Sequence, residues 1–295
     1  MKIAVIDKKD IILKIENNSL KIDSQTIPFK LFDMLVLNHR VTLKSSDILK
    51  LTKNKISLLL VSHNNVHSSI IASADAKSSE LKLAQYNSMQ DSLKFAKYFV
   101  TKKLISHTEH LNSLDIHKNS SMQIMQINNA QNRNEIMGIE GAFAREYFSH
   151  YFKLLPQNMH KSKRTKHPPL DPINALLSFW YSMYYHIITV KLLSHGFEPG
   201  LGYLHVPFRS HNALSSDILE LFRAEINHTV MKIFSNKILT NEDFVKKGGV
   251  YLRYEGRRKS WSEFVSLVNI LKPKLDSVIA DIKRMITETN SHSQR

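Results

Sequence analysis

The chain has no cysteine in 295 residues. Disulfides and thiolate zinc sites are therefore excluded, and any metal must be held by oxygen and nitrogen ligands. A cysteine-free chain also fits a reducing cytoplasm, the expected location. Acidic residues are scarce: 26 Asp and Glu stand against 41 Lys and Arg, a formal net charge of +15. That excess favours a polyanionic partner, most simply nucleic acid. There is no internal repeat and no low-complexity tract. No signal peptide is expected, because the apolar run in Met1-Lys-Ile-Ala-Val-Ile-Asp7 is very short and charged at either end. The longest apolar stretch, 175–193, is interrupted by Ser178, Ser182, His186 and Lys191. It reads as a helix buried in a helical domain, with no membrane association.

What is present is a chain able to build a core, with 42% hydrophobic residues. To about residue 75 the pattern is β-rich. Segments 2–6, 11–16, 19–23, 34–37, 56–62 and 66–73 are short and rich in β-branched or apolar residues. Asn17-Asn18 and Asn64-Asn65 mark hairpin turns, and Ser45-Ser46-Asp47 opens a short capped helix. Beyond that the spacing of apolar residues switches to three and four. It predicts helices over roughly 78–113, 118–131, 134–155, 171–195, 216–236 and 260–288, with a polar, frayed tail over 287–295. The expected class is α+β: a small N-terminal β-sandwich-like domain, 1–76, followed by a larger all-α domain, 77–295.

Three residues stand out chemically. Glu140 lies on a helical pattern among Gly138, Gly141, Ala142 and Ala144, sharing a face with Ala144, Tyr147 and Tyr151. Glycine costs a helix about 1 kcal/mol relative to alanine, so two here call for close approach by another helix or a substrate backbone. A buried carboxylate needs a metal or a cation, and Arg223 or Arg145 could supply a plain ion pair. His205 lies between Gly202 and Pro207 in a connection between helices, where a histidine is ordinarily polar surface. Glu220 and Asp217 sit near the start of a helix at the spacing of a capping pair. Carboxylates and imidazole together suit a divalent ion with open positions. Two basic loops flank this set: His160-Lys-Ser-Lys-Arg-Thr-Lys-His167, and 246–253 continuing through Arg257, Arg258 and Lys259. Each is either a solvated charge run or a phosphate-contacting surface.

At these residues the sequence resembles the Cas1 family of CRISPR-associated endonucleases, the integrases of CRISPR adaptation. The resemblance is carried by Met137-Gly-Ile-Glu-Gly-Ala-Phe-Ala-Arg-Glu-Tyr147, by Pro168-Pro-Leu-Asp-Pro-Ile-Asn-Ala-Leu-Leu-Ser-Phe-Trp-Tyr181, and by Gly196–His205 followed by Leu214–Arg223. It implies that Glu140, His205 and Glu220 ligate Mg²⁺ or Mn²⁺, with Asp217 as an accessory acid. Asn174, Ser178 and Tyr181 match the motif as residues that pack or orient. The resemblance further implies a homodimer formed largely through the β domains, and a small ferredoxin-like partner, Cas2. The expected chemistry is insertion of captured spacer DNA into a repeat array by 3′-hydroxyl attack on a phosphodiester. Arg145, Lys161, Lys163, Arg164, Lys166 and Arg223 are the candidate phosphate contacts. A metal-dependent nuclease or transposase-like integrase outside CRISPR, and a non-catalytic basic nucleic-acid scaffold, are the alternatives.

Overall fold

The computed structural model describes residues 2–38, 40–62, 68–72, 78–206 and 211–293. The chain opens with β1 (Ile3–Asp7), the two-residue β2 (Ile11–Ile12) and an antiparallel meander of β3 (Lys14–Glu16), β4 (Ser19–Ile22) and β5 (Gln25–Pro28). Asn17 and Asn18 have φ of 48° and 53°, with Glu16 opposite Ser19, which is the two-residue turn expected between β3 and β4. β5 was not anticipated, because 24–28 is largely polar and ends in proline. Asp23, at φ 51°, turns the chain back so that Gln25 faces Ile22.

Next come β6 (Met34–Asn38), β7 (Val41–Thr42), α1 (Ser45–Lys53), β8 (Ser57–Val61) and β9 (Ser68–Ile71). Strand order in the main sheet is β1-β6-β8-β9, the first three parallel and β9 antiparallel. α1 makes the crossover that two parallel neighbours require. Its expected side-chain cap is replaced by Lys44, which makes no capping bond, while Asp47 is buried and paired with Lys50.

This sheet is apolar on both faces. Ile3, Met34, Val36, Leu59 and Val61 join the large helical core, whereas Ile6, Leu35, Leu37 and Leu58 pack on Leu13, Ile15, Leu20, Ile22, Phe29 and Phe32. β6 is consequently buried at every residue, and its unbroken apolar run follows from burial on two sides. The sandwich-like expectation holds as the main sheet facing the β3-β4-β5 meander and the two-stranded β2-β7 sheet across one small core, with the outer face of the main sheet laid on the helices. The expected turn at Asn64-Asn65 and the expected domain division at residue 76 lie outside the described residues.

The helical layer contains α2 (Ser79–Asn87), α3 (Ser92–Asn112), α4 (Ser121–Asn129), α5 (Arg133–Lys153), α6 (Pro172–Ser194), α7 (Ala213–Leu219), α8 (Arg223–Ser235) and, after a hairpin, α9 (Tyr254–Ser293). The single helix expected over 78–113 is broken at 88–91, where the buried Ser88 hydroxyl bonds to Gln85 O and Tyr203 Oη, both at 2.8 Å. α6 begins as its sequence dictates: Asp171 Oδ1 accepts from Asn174 N at 2.8 Å and Pro172 takes the first turn. Fifteen of the 23 residues of α6 are buried and only Ser194 is exposed, and among the described residues no helix is long and apolar enough to cross a membrane.

Two expectations are corrected in this layer. It is not purely helical, because part of the second basic loop forms a hairpin, β10 (Phe244–Lys246) and β11 (Val250–Leu252). Three-residue strands are too short to show alternation in sequence. The tail does not fray by Ser293: α9 continues that far, and Asn290 Nδ2 donates to Ala84 O of α2 at 3.0 Å. The start of α9 also fastens the two layers. Tyr254 Oη donates to Asp7 O at 3.0 Å, and Trp261 Nε1 donates to Asp7 Oδ2 at 2.8 Å.

Candidate active site

α3 presents a buried stripe of Phe95, Ala96, Phe99, Val100, Leu104 and Leu111 to the core. Lys103 and His107 fall on the same stripe and are buried with it. The Lys103 ammonium is bonded to Glu140 Oε1 of α5 and to Glu220 Oε2. Glu220 lies in a short 3₁₀ turn, 220–222, that joins α7 to α8. The capping reading of Glu220 and Asp217 is thereby excluded: Asn212 precedes α7 and Asp217 is inside it. Arg223 Nη2 reaches the other oxygen, Glu220 Oε1, at 2.8 Å. Burial alone would raise the Glu220 carboxyl, but Arg223 and Lys103 outweigh it and hold the group well below the usual carboxylate range. Burial would likewise lower Lys103, and Glu220 and Glu140 reverse that, so its ammonium stays charged.

His205 and Asp217 form a second unit. Asp217 is 0% exposed. Its Oδ2 accepts from Tyr203 N at 2.6 Å and Leu204 N at 3.0 Å, and its Oδ1 from His205 N at 2.8 Å. Oδ1 also meets His205 Nδ1 at 2.7 Å. A carboxylate on Nδ1 fixes the ring with that nitrogen protonated and leaves Nε2 as an acceptor. Gly202 makes the clasp possible: a Cβ there would stand 2.6 Å from Ala213 C and Cβ, so only glycine lets the loop lie against the first turn of α7.

Glu140 and Glu220 therefore meet at one cationic point, and His205 lies within electrostatic range of Glu220. The three do not close into one ligand set: among the described residues, no three of His, Asp and Glu are placed to hold an ion together. The partner of Glu140 is neither Arg223 nor Arg145, as expected for an ion pair, but Lys103. Its position on the apolar stripe, four residues after Phe99, was the available signal.

The candidate phosphate contacts divide. Arg145, Lys161, Lys163 and Lys166 are exposed. Arg164 and Arg223 turn inward, contrary to expectation. Arg164 donates to Asn174 Oδ1 at 2.9 Å and Ser178 Oγ at 3.0 Å, and both guanidinium groups lie over the Tyr181 ring, at 5.5 and 4.5 Å. Asn174 and Ser178 do orient a neighbour, as expected. Tyr181 Oη donates to Asn227 Oδ1, Asn227 Nδ2 to Tyr147 Oη at 2.9 Å, and Tyr147 Oη meets His110 Nδ1 at 2.7 Å. This buried relay backs the site and was not read in the sequence. Lys166 lies at its rim: its side chain is exposed overall, while its ammonium end, partly desolvated and near Arg223, is held below the usual lysine value.

The second basic segment is partly structural: Arg257 pairs with Asp7 and Lys259 with Asp243. Lys246, Lys247 and Arg258 remain exposed. The hairpin lies on the two prolines that follow the first basic loop, since a Cβ on Gly249 would be 2.6 Å from Pro168 Cβ, and Val250 N donates to Pro169 O at 2.8 Å. The glycines beside Glu140 are not helix contacts: among the described residues nothing lies within 4 Å of a Cβ at Gly138, and only Arg145 Nη1, at 3.8 Å, near one at Gly141. That face of α5 is open.

A β-sheet layer fastened to a helical layer with an acid–histidine centre and a basic rim defines the class as α+β. The family model described as CRISPR associated protein Cas1 matches residues 3–266, and the chain belongs to the Cas1 family. It is 30% identical over 282 residues to "CRISPR-associated endonuclease Cas1 1" of Thermodesulfovibrio yellowstonii, covering 88% of this chain and 89% of that one. Its fold is that of a CAS1 protein from Thermotoga maritima (TM-score 0.87, 19% identity, 97% of each chain). It also resembles a casposase bound to its integration product (TM-score 0.78, 21% identity, 91% of this chain and 83% of that one).

Proposed function

We propose that this protein is a divalent-metal-dependent DNA strand-transferase and endonuclease of CRISPR adaptation. The observation that carries the reading is the convergence of Glu140 and Glu220 on one cationic point beside the clasped His205. The donor set fits a hard ion such as Mg²⁺ or Mn²⁺, because two ionised oxygens already surround a cation and His205 offers Nε2. Glu140, His205 and Glu220 would hold it, and the ion would supply Lewis acidity to a phosphate oxygen and favour the alkoxide of an attacking hydroxyl.

The remaining roles belong to the chain. Asp217 acts on His205 rather than as a ligand, since its oxygens are engaged by three backbone amides and the ring. The relay behind Tyr181 keeps Arg223 and Arg164 in place. Lys166, with Lys161, Lys163 and Arg145, positions DNA phosphates on the rim. The open face beside Gly138 leaves room for a nucleic-acid backbone. In strand transfer the 3′-hydroxyl of captured DNA forms a new phosphodiester as the original P–O3′ bond breaks; in hydrolysis water takes the hydroxyl's place. Homodimerisation through the β layer, where Ile12, Leu31 and Leu49 are exposed, and assembly with Cas2 complete the proposal, with the cytoplasm as its setting.

A basic scaffold whose acids merely pair with cations is favoured by one observation, the bonds of Lys103 to both glutamates. Mn²⁺-dependent cleavage and integration by Glu140→Gln, His205→Ala and Glu220→Gln variants separate the readings. Each substitution should abolish activity while DNA binding survives. Full activity in the His205 variant removes it from the set, and activity without any divalent ion overturns the mechanism.

A further inference from the structure

The buried stripe of α3 carries a charge that the proposed reaction does not use. Lys103, with a side chain only 7% exposed, occupies the point where Glu140 and Glu220 converge, which is where a shared metal ion would be expected. Resting on the metal-site reading above, we propose that Lys103 is a built-in counter-ion that holds the two glutamates together before metal arrives, must vacate that point for metal to bind, and so sets the metal affinity.

Charge balance is the first support. Lys103 and Arg223 neutralise Glu140 and Glu220. A divalent ion added to that neutral cluster leaves two positive charges in excess at a buried site, where unpaired charge is expensive. Withdrawal of Lys103 removes one of them, and a substrate phosphate neutralises the other. Donor availability is the second support. Glu220 has one oxygen on Arg223 and the other on Lys103, so its approach to an ion at the shared point requires one of these bonds to yield. The third is mobility. Arg223 is pinned over Tyr181 at 4.5 Å, whereas Lys103 has no aromatic partner among the described residues and ends a flexible four-carbon stem. The helix itself need not move: His107 Nδ1 meets the Lys103 carbonyl at 2.9 Å and the backbone is packed in the core.

A lysine that only braced the two glutamates would give the opposite sign. Its removal would let them splay and weaken metal binding, whereas removal of a competitor strengthens it. The experiment titrates full-length wild type, Lys103→Met, Lys103→Arg and Glu140→Gln with MnCl₂ by calorimetry, and follows the thermal midpoint in EDTA and across the same Mn²⁺ series. Lys103→Met should be less stable in EDTA and should bind Mn²⁺ roughly tenfold more tightly, the effect of about 1.4 kcal/mol of relieved competition. Lys103→Arg keeps the charge and should bind no more tightly than wild type. Wild-type or weaker Mn²⁺ affinity in Lys103→Met, with binding still lost in Glu140→Gln, overturns the counter-ion role alone. Should Lys103→Met not fold in EDTA, tighter binding by Lys103→Arg than by wild type overturns it as well. Undiminished binding in Glu140→Gln overturns the metal-site reading, and this role with it.

Discussion

Asp217 Oδ1 lies 2.7 Å from His205 Nδ1 and 2.8 Å from the His205 backbone nitrogen, so one carboxylate oxygen holds both the ring and the peptide of the histidine. Asp217→Asn puts an amide NH₂ where a loop N–H or the ring must be accepted. The substitution should lower metal-dependent cleavage about 10- to 100-fold through His205 and cost about 1–3 kcal/mol from unmet buried donors. Cleavage rates and urea denaturation measure the two effects, and wild-type values in both would remove Asp217 from the site.

Gly202 tests the same clasp from the backbone side. A Cβ at this position meets Ala213 C and Cβ at 2.6 Å and Leu214 N at 2.9 Å, which are backbone or short side-chain atoms that cannot swing aside. Gly202→Ala should destabilise the protein by about 1–3 kcal/mol and reduce cleavage by displacing His205. Gly138→Ala, with nothing within 4 Å of its Cβ among the described residues, should be neutral or slightly stabilising. Denaturation of the pair provides the comparison.

Acid sensitivity should come in part from buried neutral histidines. Burial, and then the Lys103 charge, lowers His107 to about 3; burial, and then His228, lowers His110 to about 4. Each folded-state value lies below the ordinary 6.5, so the unfolded chain takes up protons first. The contribution is complete above about pH 6.5 and drains as pH falls toward the folded values, at about 1.4 kcal/mol per pH unit for each ring. His110→Gln should flatten the fall of the thermal midpoint between pH 6.5 and 4.5 relative to wild type. Parallel curves would show that His110 is not responsible.

Two cations two residues apart in one loop, Arg164 and Lys166, should behave differently. Lys166 is at the rim, so Lys166→Ala should weaken DNA binding on all sequences and reduce the salt slope by about one phosphate contact. Arg164 is bonded to Asn174 and Ser178, so Arg164→Ala should lower stability and leave the salt slope nearly unchanged. Binding isotherms from low to moderate salt distinguish them, and a reduced slope for Arg164→Ala would mean its guanidinium reaches DNA.

Much of the helical layer was legible because its signals are local. Asp171-Pro172 starts α6 and the three-four spacing carries it to its end. The turn at Asn17-Asn18 was equally local. What sequence reasoning missed depends on partners. β5 is polar and becomes a strand only because β4 is beside it, and β10 and β11 are too short to alternate. Arg164 looked like a surface cation until Asn174, Ser178 and Tyr181 formed a socket for it. Lys103 was concealed within an apolar pattern, although a lysine on such a stripe is itself a sign of a buried countercharge. Asp217 and Glu220 have helix-cap spacing, and only the tertiary structure separates a residue that orients a histidine from one that meets Glu140.

Over β1 and β6 the main sheet is covered on both faces, one by the small β core and the other by the helices. The β layer packs on α9 through β1, and cutting the chain between the layers would strip Ile3, Met34, Val36, Leu59 and Val61 of their cover. A helical fragment made alone would carry the matching scar and aggregate through it. For this protein, removing the β layer removes part of the core, so whatever a truncated chain fails to do would report lost folding first.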